Sequence, residues 1–130
     1  MNKLQILSEL KGTVKPYKGN GRKLGYPTAN LDVTSDLDDG VYFGYADLVD
    51  WHNHPTMIFI GTPTTVGDKD RRVEAHLLDI PDKDYYGQLL NLKFMHLHRL
   101  NKTFKTIGEL TALMHEDEIS ARQWFNENSN

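Results

Sequence analysis

A chain of 130 residues with 38% hydrophobic content and a formal net charge of −3 is sized for one globular core, and its charge argues against nucleic acid as the main partner. The absence of cysteine excludes disulfides, thiol catalysis and thiolate metal sites. No apolar stretch approaches the ~18 residues that would span a bilayer, and the opening segment, with Glu9 inside its short apolar run, is too short for a signal peptide. These features predict one cytoplasmic domain over residues 1–130, without a membrane partner.

Residues 7–17 alternate loosely and contain Thr13-Val14-Lys15, which predicts a first strand. The run Gly19-Asn-Gly21-Arg22-Lys23-Leu-Gly25-Tyr-Pro27-Thr28-Ala-Asn30-Leu31 follows. Glycines in such a loop let the backbone come close to a ligand, and consecutive amide N–H groups can cradle phosphate oxygens. Arg22 and Lys23 add cationic donors. Pro27 fixes φ ahead of Thr28, whose hydroxyl, with the amide oxygen of Asn30, offers neutral oxygen ligands to a hard cation such as Mg²⁺. The run matches neither the dinucleotide fingerprint nor the Gly-Lys-Ser/Thr phosphate loop, so residue types alone leave two readings open, a phosphate loop or a simple turn.

Gly40–Val49, rich in β-branched and aromatic residues, reads as a strand. Met57–Ile60 reads as a short buried strand bounded by Pro55 and by Gly61-Thr-Pro63. Arg72–Ile80 alternates, with Val73, Ala75 and Leu77 on one face and Glu74, His76 and Leu78 on the other. Leu89–Leu100 is a long strand whose apolar set shifts from Leu90, Leu92 and Phe94 to Met95 and Leu97, a phase slip that predicts a bulge or twist. Thr106 and Glu109 form a capping-box pattern, and Ile107, Leu110, Met114, Ala121, Trp124 and Phe125 then recur at helical spacing. Asp117 falls on that stripe, either as an N-cap restarting a second helical segment or as a carboxylate facing a pocket. At least five strands followed by a terminal helix make a β-barrel, or a sheet plus helix. His52-Asn-His54 and His96-Leu-His98 have chelating spacing on a strand but lack an obvious third ligand, and the first pair precedes Pro55 in a predicted loop.

With the glycine run, Pro27-Thr-Ala-Asn-Leu31, Gly40-Val-Tyr42, Val73-Glu-Ala-His-Leu-Leu-Asp79 and Tyr86-Gly87 in this order, the chain resembles the riboflavin kinase (flavokinase) family from about Gly12 to Arg122. The resemblance implies a mainly β fold: a six-stranded antiparallel Greek-key barrel, about 7–104, with a C-terminal helical segment, about 106–127. It implies transfer of the γ-phosphoryl group of ATP to the 5′-hydroxyl of riboflavin, giving FMN, with Mg²⁺ as cofactor. It also implies a stand-alone kinase without an FMN adenylyltransferase module, acting as a monomer on riboflavin and ATP.

By the same resemblance, Glu74 is the catalytic base. Pro27, Thr28 and Asn30 belong to the magnesium–nucleotide site, with Thr28 and Asn30 as metal ligands. Gly19, Gly21, Arg22 and Lys23 form the flap over the phosphates, and Tyr86 lies near the nucleotide. Arg99, Lys102 and Phe104 border the flavin, while Asp117 and Arg122 sit on the helix that flanks it. The loops at 18–25 and 99–105 are expected to order over their ligands. The chain departs from the family pattern at Ile60-Gly-Thr-Pro-Thr64, one residue short, at Arg99-Leu-Asn101, at Tyr86-Gly-Gln88 and at Lys105. Those departures keep a second function open: a flavin- or nucleotide-binding regulatory module with weak or no kinase activity.

Overall fold

The computed structural model describes residues 5–16, 25–67 and 69–129. Its strands are β1 (Ser8–Lys15), β2 (Ala29–Leu31), β3 (Gly40–Leu48), β4 (Trp51–Gly61), β5 (Arg72–Leu77) and β6 (Leu89–Leu100), followed by the helix α1 (Ile107–Glu127). They close into a barrel in the order β1-β2-β5-β4-β3-β6, each neighbouring pair antiparallel. β3, β4 and β5 follow one another around the wall, and β6 returns to lie beside β3, which is a Greek key. The expected six-stranded barrel with a C-terminal helix is the observed architecture.

The period of two sorts the side chains. Val73, Ala75 and Leu77 of β5 point into the barrel, where they meet Leu31, Tyr42, Ile58, Leu92 and Phe94. On the outside, Val41, Phe43, Met57 and Leu78 form a second apolar cluster that Ala121 and Phe125 of α1 cover. β3 is therefore buried on both faces, which explains its continuous apolar run.

The phase slip in β6 is two register shifts against β3. Val41 pairs with Arg99 but Tyr42 with Leu97, and Phe43 pairs with His96 but Gly44 with Phe94, leaving His98 and Met95 as the extra residues. Gly44 is required at the second shift, because a Cβ there would lie 1.9 Å from the Lys93 carbonyl oxygen.

Four expectations change. Strand β2 is only three residues long and lies at the end of the glycine run, where composition had suggested loop. β4 does not stop at Pro55 but extends back to Trp51, so His52 and His54 lie on a strand. Proline is tolerated there because the β4–β5 ladder ends at Thr56 and Leu77; beyond it the Pro55 carbonyl accepts from the Leu78 amide at 3.0 Å, and no ladder donor is missed. β5 stops at Leu77 rather than Ile80, and Asp79 takes φ 63°. Finally, α1 runs without a break through Asp117, which caps nothing. At its start the Thr106 hydroxyl accepts from the Glu109 amide at 3.1 Å, while the Glu109 carboxylate accepts from the Lys105 amide, one residue before the N-cap.

Candidate active site

β2 and β5 pair so that Asn30 stands directly opposite Glu74. Residues two apart share a face, so Thr28 and Asn30 from one side and Arg72, Glu74 and His76 from the other make one polar row on the outer wall. The Thr28 hydroxyl donates to Glu74 Oε1 at 3.3 Å. Arg72 Nη1 donates to Asn30 Oδ1 at 3.5 Å and lies 3.9 Å from Glu74 Oε1. His76 Nδ1 is 2.7 Å from the Pro27 carbonyl oxygen. A carbonyl only accepts, so Nδ1 carries the proton and the ring anchors the peptide that precedes Thr28.

Burial dominates the electrostatics of this row. It pushes the Glu74 carboxyl above its ordinary range, against the opposing pull of the Arg72 charge and the Thr28 hydrogen bond. Burial also pushes His76 down, which keeps its ring neutral near pH 7. Glu74 is thus a half-shielded carboxylate, 21% exposed, rather than a solvated strand glutamate.

The row separates two hollows. One, of about 130 Å³, is lined by Thr28, Arg72, Glu74, Arg99, Lys102 and Phe104 among others. The second, of about 50 Å³, is lined by Pro27, Thr28, Asn30, Tyr85 and Tyr86. Thr28 borders both. Asp117 is fully buried and lines neither; its oxygens accept from Arg99 Nε and Nη2 at 2.8 Å each, and His98 Nε2 lies 3.3 Å away. Asp117 therefore acts on the larger hollow by holding the Arg99 fork in place. Asn101 Nδ2 donates to the Ile60 carbonyl at 3.1 Å, so the 99–105 loop is pinned where it leaves β6.

Arg122 is not brought to this place. Its guanidinium donates to Asp79 at 2.8 and 2.9 Å and to Glu118 at 2.9 Å, beside a different depression formed with His54, Pro55 and Phe125. Near it Tyr26 is pushed up to about 12, by burial first and then by Glu118. Gly19, Gly21, Arg22 and Lys23 lie outside the described residues.

The donors for a hard cation are the Thr28 hydroxyl and the Asn30 amide oxygen, beside one carboxylate. Such a set is too weak to hold Mg²⁺ alone but suits an ion carried mainly by phosphate oxygens. Among the described residues no group of three or more His, Asp or Glu side chains is arranged to hold a metal. The histidine pairs have other partners: His54 Nε2 meets the Leu78 carbonyl, His96 stacks on Trp124 at 5.6 Å, and His98 stacks on Phe43 at 4.7 Å.

Two members of the row, Arg72 and His76, were not singled out from sequence as site residues. The available signal was their spacing, two residues either side of Glu74 on the strand face away from the core.

Residues 4–125 match the riboflavin kinase family, Flavokinase. The chain belongs to that family. It is 33% identical over 119 residues to the trifunctional protein RibF/MnmA of Mycoplasmoides gallisepticum, covering 89% of this chain but 18% of that protein. Against the riboflavin kinase of Homo sapiens it is 24% identical over 116 residues, which is 85% of this chain and 75% of the human one. The crystal structure of riboflavin kinase from Trypanosoma brucei superposes with a TM-score of 0.69 at 20% identity, over 92% of this chain and 78% of that one, and so shares the fold. Among the described residues no helix is long and apolar enough to cross a membrane.

Proposed function

We propose that the chain is a riboflavin kinase that transfers the γ-phosphoryl group of ATP to the 5′-hydroxyl of riboflavin. The observation that carries this reading is the Thr28–Glu74 contact, where a candidate nucleotide-side hydroxyl meets a candidate base at the boundary of the two hollows. The larger hollow carries Phe104, Phe59 and Val41 on its wall, apolar surface against which a flat ring system can lie, and Thr28 joins it to the smaller one on the nucleotide side.

In this reading Glu74 accepts the proton of the ribityl hydroxyl. The ribityl oxygen forms a bond to the γ-phosphorus, the bond from that phosphorus to the β–γ bridging oxygen breaks, and its electron pair leaves with ADP. Burial raises the proton affinity of Glu74, which strengthens it as a base, while the Arg72 charge and the Thr28 hydrogen bond oppose part of that rise. Thr28 and Asn30 would hold Mg²⁺ that arrives with the nucleotide; when bound, it neutralises charge on the phosphate oxygens. His76 positions the Pro27–Thr28 peptide, and Asp117 positions Arg99 at the flavin side.

The test is direct: purified chain is incubated with riboflavin, ATP and Mg²⁺, and FMN is sought by chromatography. Its absence, with riboflavin binding retained, would favour the binding-module alternative. Thr28→Val and Asn30→Leu are expected to weaken MgADP binding about tenfold or more while leaving riboflavin binding nearly unchanged, as measured by calorimetry. Unchanged MgADP affinity in both would remove these residues from the nucleotide site.

A further inference from the structure

Arg72 opens β5 on the same outer face as Glu74, and its side chain is 5% exposed. Its Nη1 lies 3.5 Å from Asn30 Oδ1, on the nucleotide side, and 3.9 Å from Glu74 Oε1, on the side of the base. A phosphoryl group moving from a nucleotide at Thr28 and Asn30 to a hydroxyl at Glu74 must cross the space between those contacts. Among the described residues, three cations line the larger hollow: Arg72, Arg99 and Lys102. Arg99 commits Nε and Nη2 to Asp117 and donates Nη1 to the Leu100 carbonyl, and Lys102 stands in an exposed loop. Of these three, Arg72 is the one whose guanidinium reaches both the Asn30 and the Glu74 side chains.

Resting on the kinase reading, we propose that Arg72 is a further catalytic residue, a protein-borne cation whose guanidinium donates to the non-bridging oxygens of the γ-phosphoryl group during transfer. A planar guanidinium fork matches phosphate oxygens, and phosphoryl transfer is catalysed mainly by positioning and charge neutralisation. The charges also hand over in the right order. In the form competent to accept the proton, Glu74 is a carboxylate facing Arg72 at 3.9 Å. As the ribityl proton moves to Glu74 that carboxylate becomes neutral, and the phosphoryl oxygens take its place as the anion beside the guanidinium. Arg72 itself neither gains nor loses a proton.

Steady-state kinetics of FMN formation by wild type, Arg72→Gln, Arg72→Lys and Arg72→Ala across pH test this. Arg72→Gln is expected to lower the plateau of kcat at every pH by about 10²-fold or more, with riboflavin KM and MgADP affinity within about threefold of wild type. Arg72→Lys, which keeps a buried positive charge beside Glu74 and so guards against loss of fold, should retain part of the rate, short of wild type. Added guanidinium ion at millimolar concentration should raise turnover of Arg72→Ala and leave wild type unaffected, a response that a merely structural residue would not give. An Arg72→Gln plateau that recovers fully at high pH would overturn the proposal, since Arg72 would then only set the ionisation of Glu74. Full wild-type turnover in Arg72→Lys together with no guanidinium rescue would overturn it as well. Wild type that makes no FMN would sink the kinase reading and this inference together; an active wild type beside an equally active Arg72→Gln sinks the inference alone.

Discussion

The two faces of β5 obey different rules although they come from the same six residues. Inward, Val73, Ala75 and Leu77 are held by volume: each is nearly fully buried in the barrel core, and any apolar side chain of the right size would serve. Outward, Arg72, Glu74 and His76 are held by directed contacts to Asn30, Thr28 and Pro27, all from the segment around β2. The core face is therefore expected to tolerate substitution by similar shapes and the outer face is not, so that stability and the proposed chemistry should be separable on one strand.

Three substitutions and a pH measurement press on that separation. The largest effect is expected from the outer face: Glu74→Gln should lower kcat by about 10²–10⁴-fold with little change in riboflavin KM, read from FMN formation. Near wild-type turnover would take Glu74 out of the chemistry. Inside, Leu77→Ala should cost about 3 kcal/mol in denaturant unfolding while the folded fraction keeps its kcat. If kcat fell in proportion, the two faces would be coupled and the contrast would fail. Asp117→Asn extends the comparison to the helix, because it removes the charge that holds Arg99. It is expected to cost about 3 kcal/mol of stability and to raise riboflavin KM more than it lowers kcat.

The smallest effect is a shift along the pH axis. As the proposed base Glu74 has to be ionised, and burial raises its pKa, so kcat should fall on acidification with its midpoint above the ordinary glutamate value of 4.5. The stability sign is opposite: a carboxyl with a raised folded-state pKa contributes fully below its unfolded pKa and loses that contribution as pH rises through the folded value. A rate limb at or below the ordinary value would mean that the Arg72 charge outweighs burial.

What could be read from the sequence follows the same division. The core faces of β5 and β6 were legible because apolar periodicity is local, β3 was legible from its β-branched and aromatic composition, and even the shift in β6 left its mark in the move from Phe94 to Met95. β2 was not, since a three-residue strand has no period to detect, and Pro55 concealed the first half of β4 because the end of the β4–β5 ladder cannot be seen along one strand. Glu74, Thr28 and Asn30 were singled out through family resemblance, and the fold brings the three together. Arg72 was read only as the first residue of the alternating strand, because its contact with Asn30 comes from a segment far away in the chain. Asp117 read equally well as a cap, because its partner Arg99 lies on another element.

Closure of the barrel carries a consequence for the order of folding. β1 completes the ring by pairing with β6, Ser8 opposite Phe94 and Thr13 opposite Leu89, so the first strand waits for the last. Until β6 is present, β1 and β3 each have an open edge, whereas the β3–β4–β5 meander can already form from neighbouring segments. Pairs so distant in the chain incur loop-closure entropy before they return any contact energy, which predicts slow folding for a domain of this size. During synthesis, the meander would stand as an incomplete sheet until Leu89–Leu100 leaves the ribosome, and that interval is when the chain is most exposed to association with other chains.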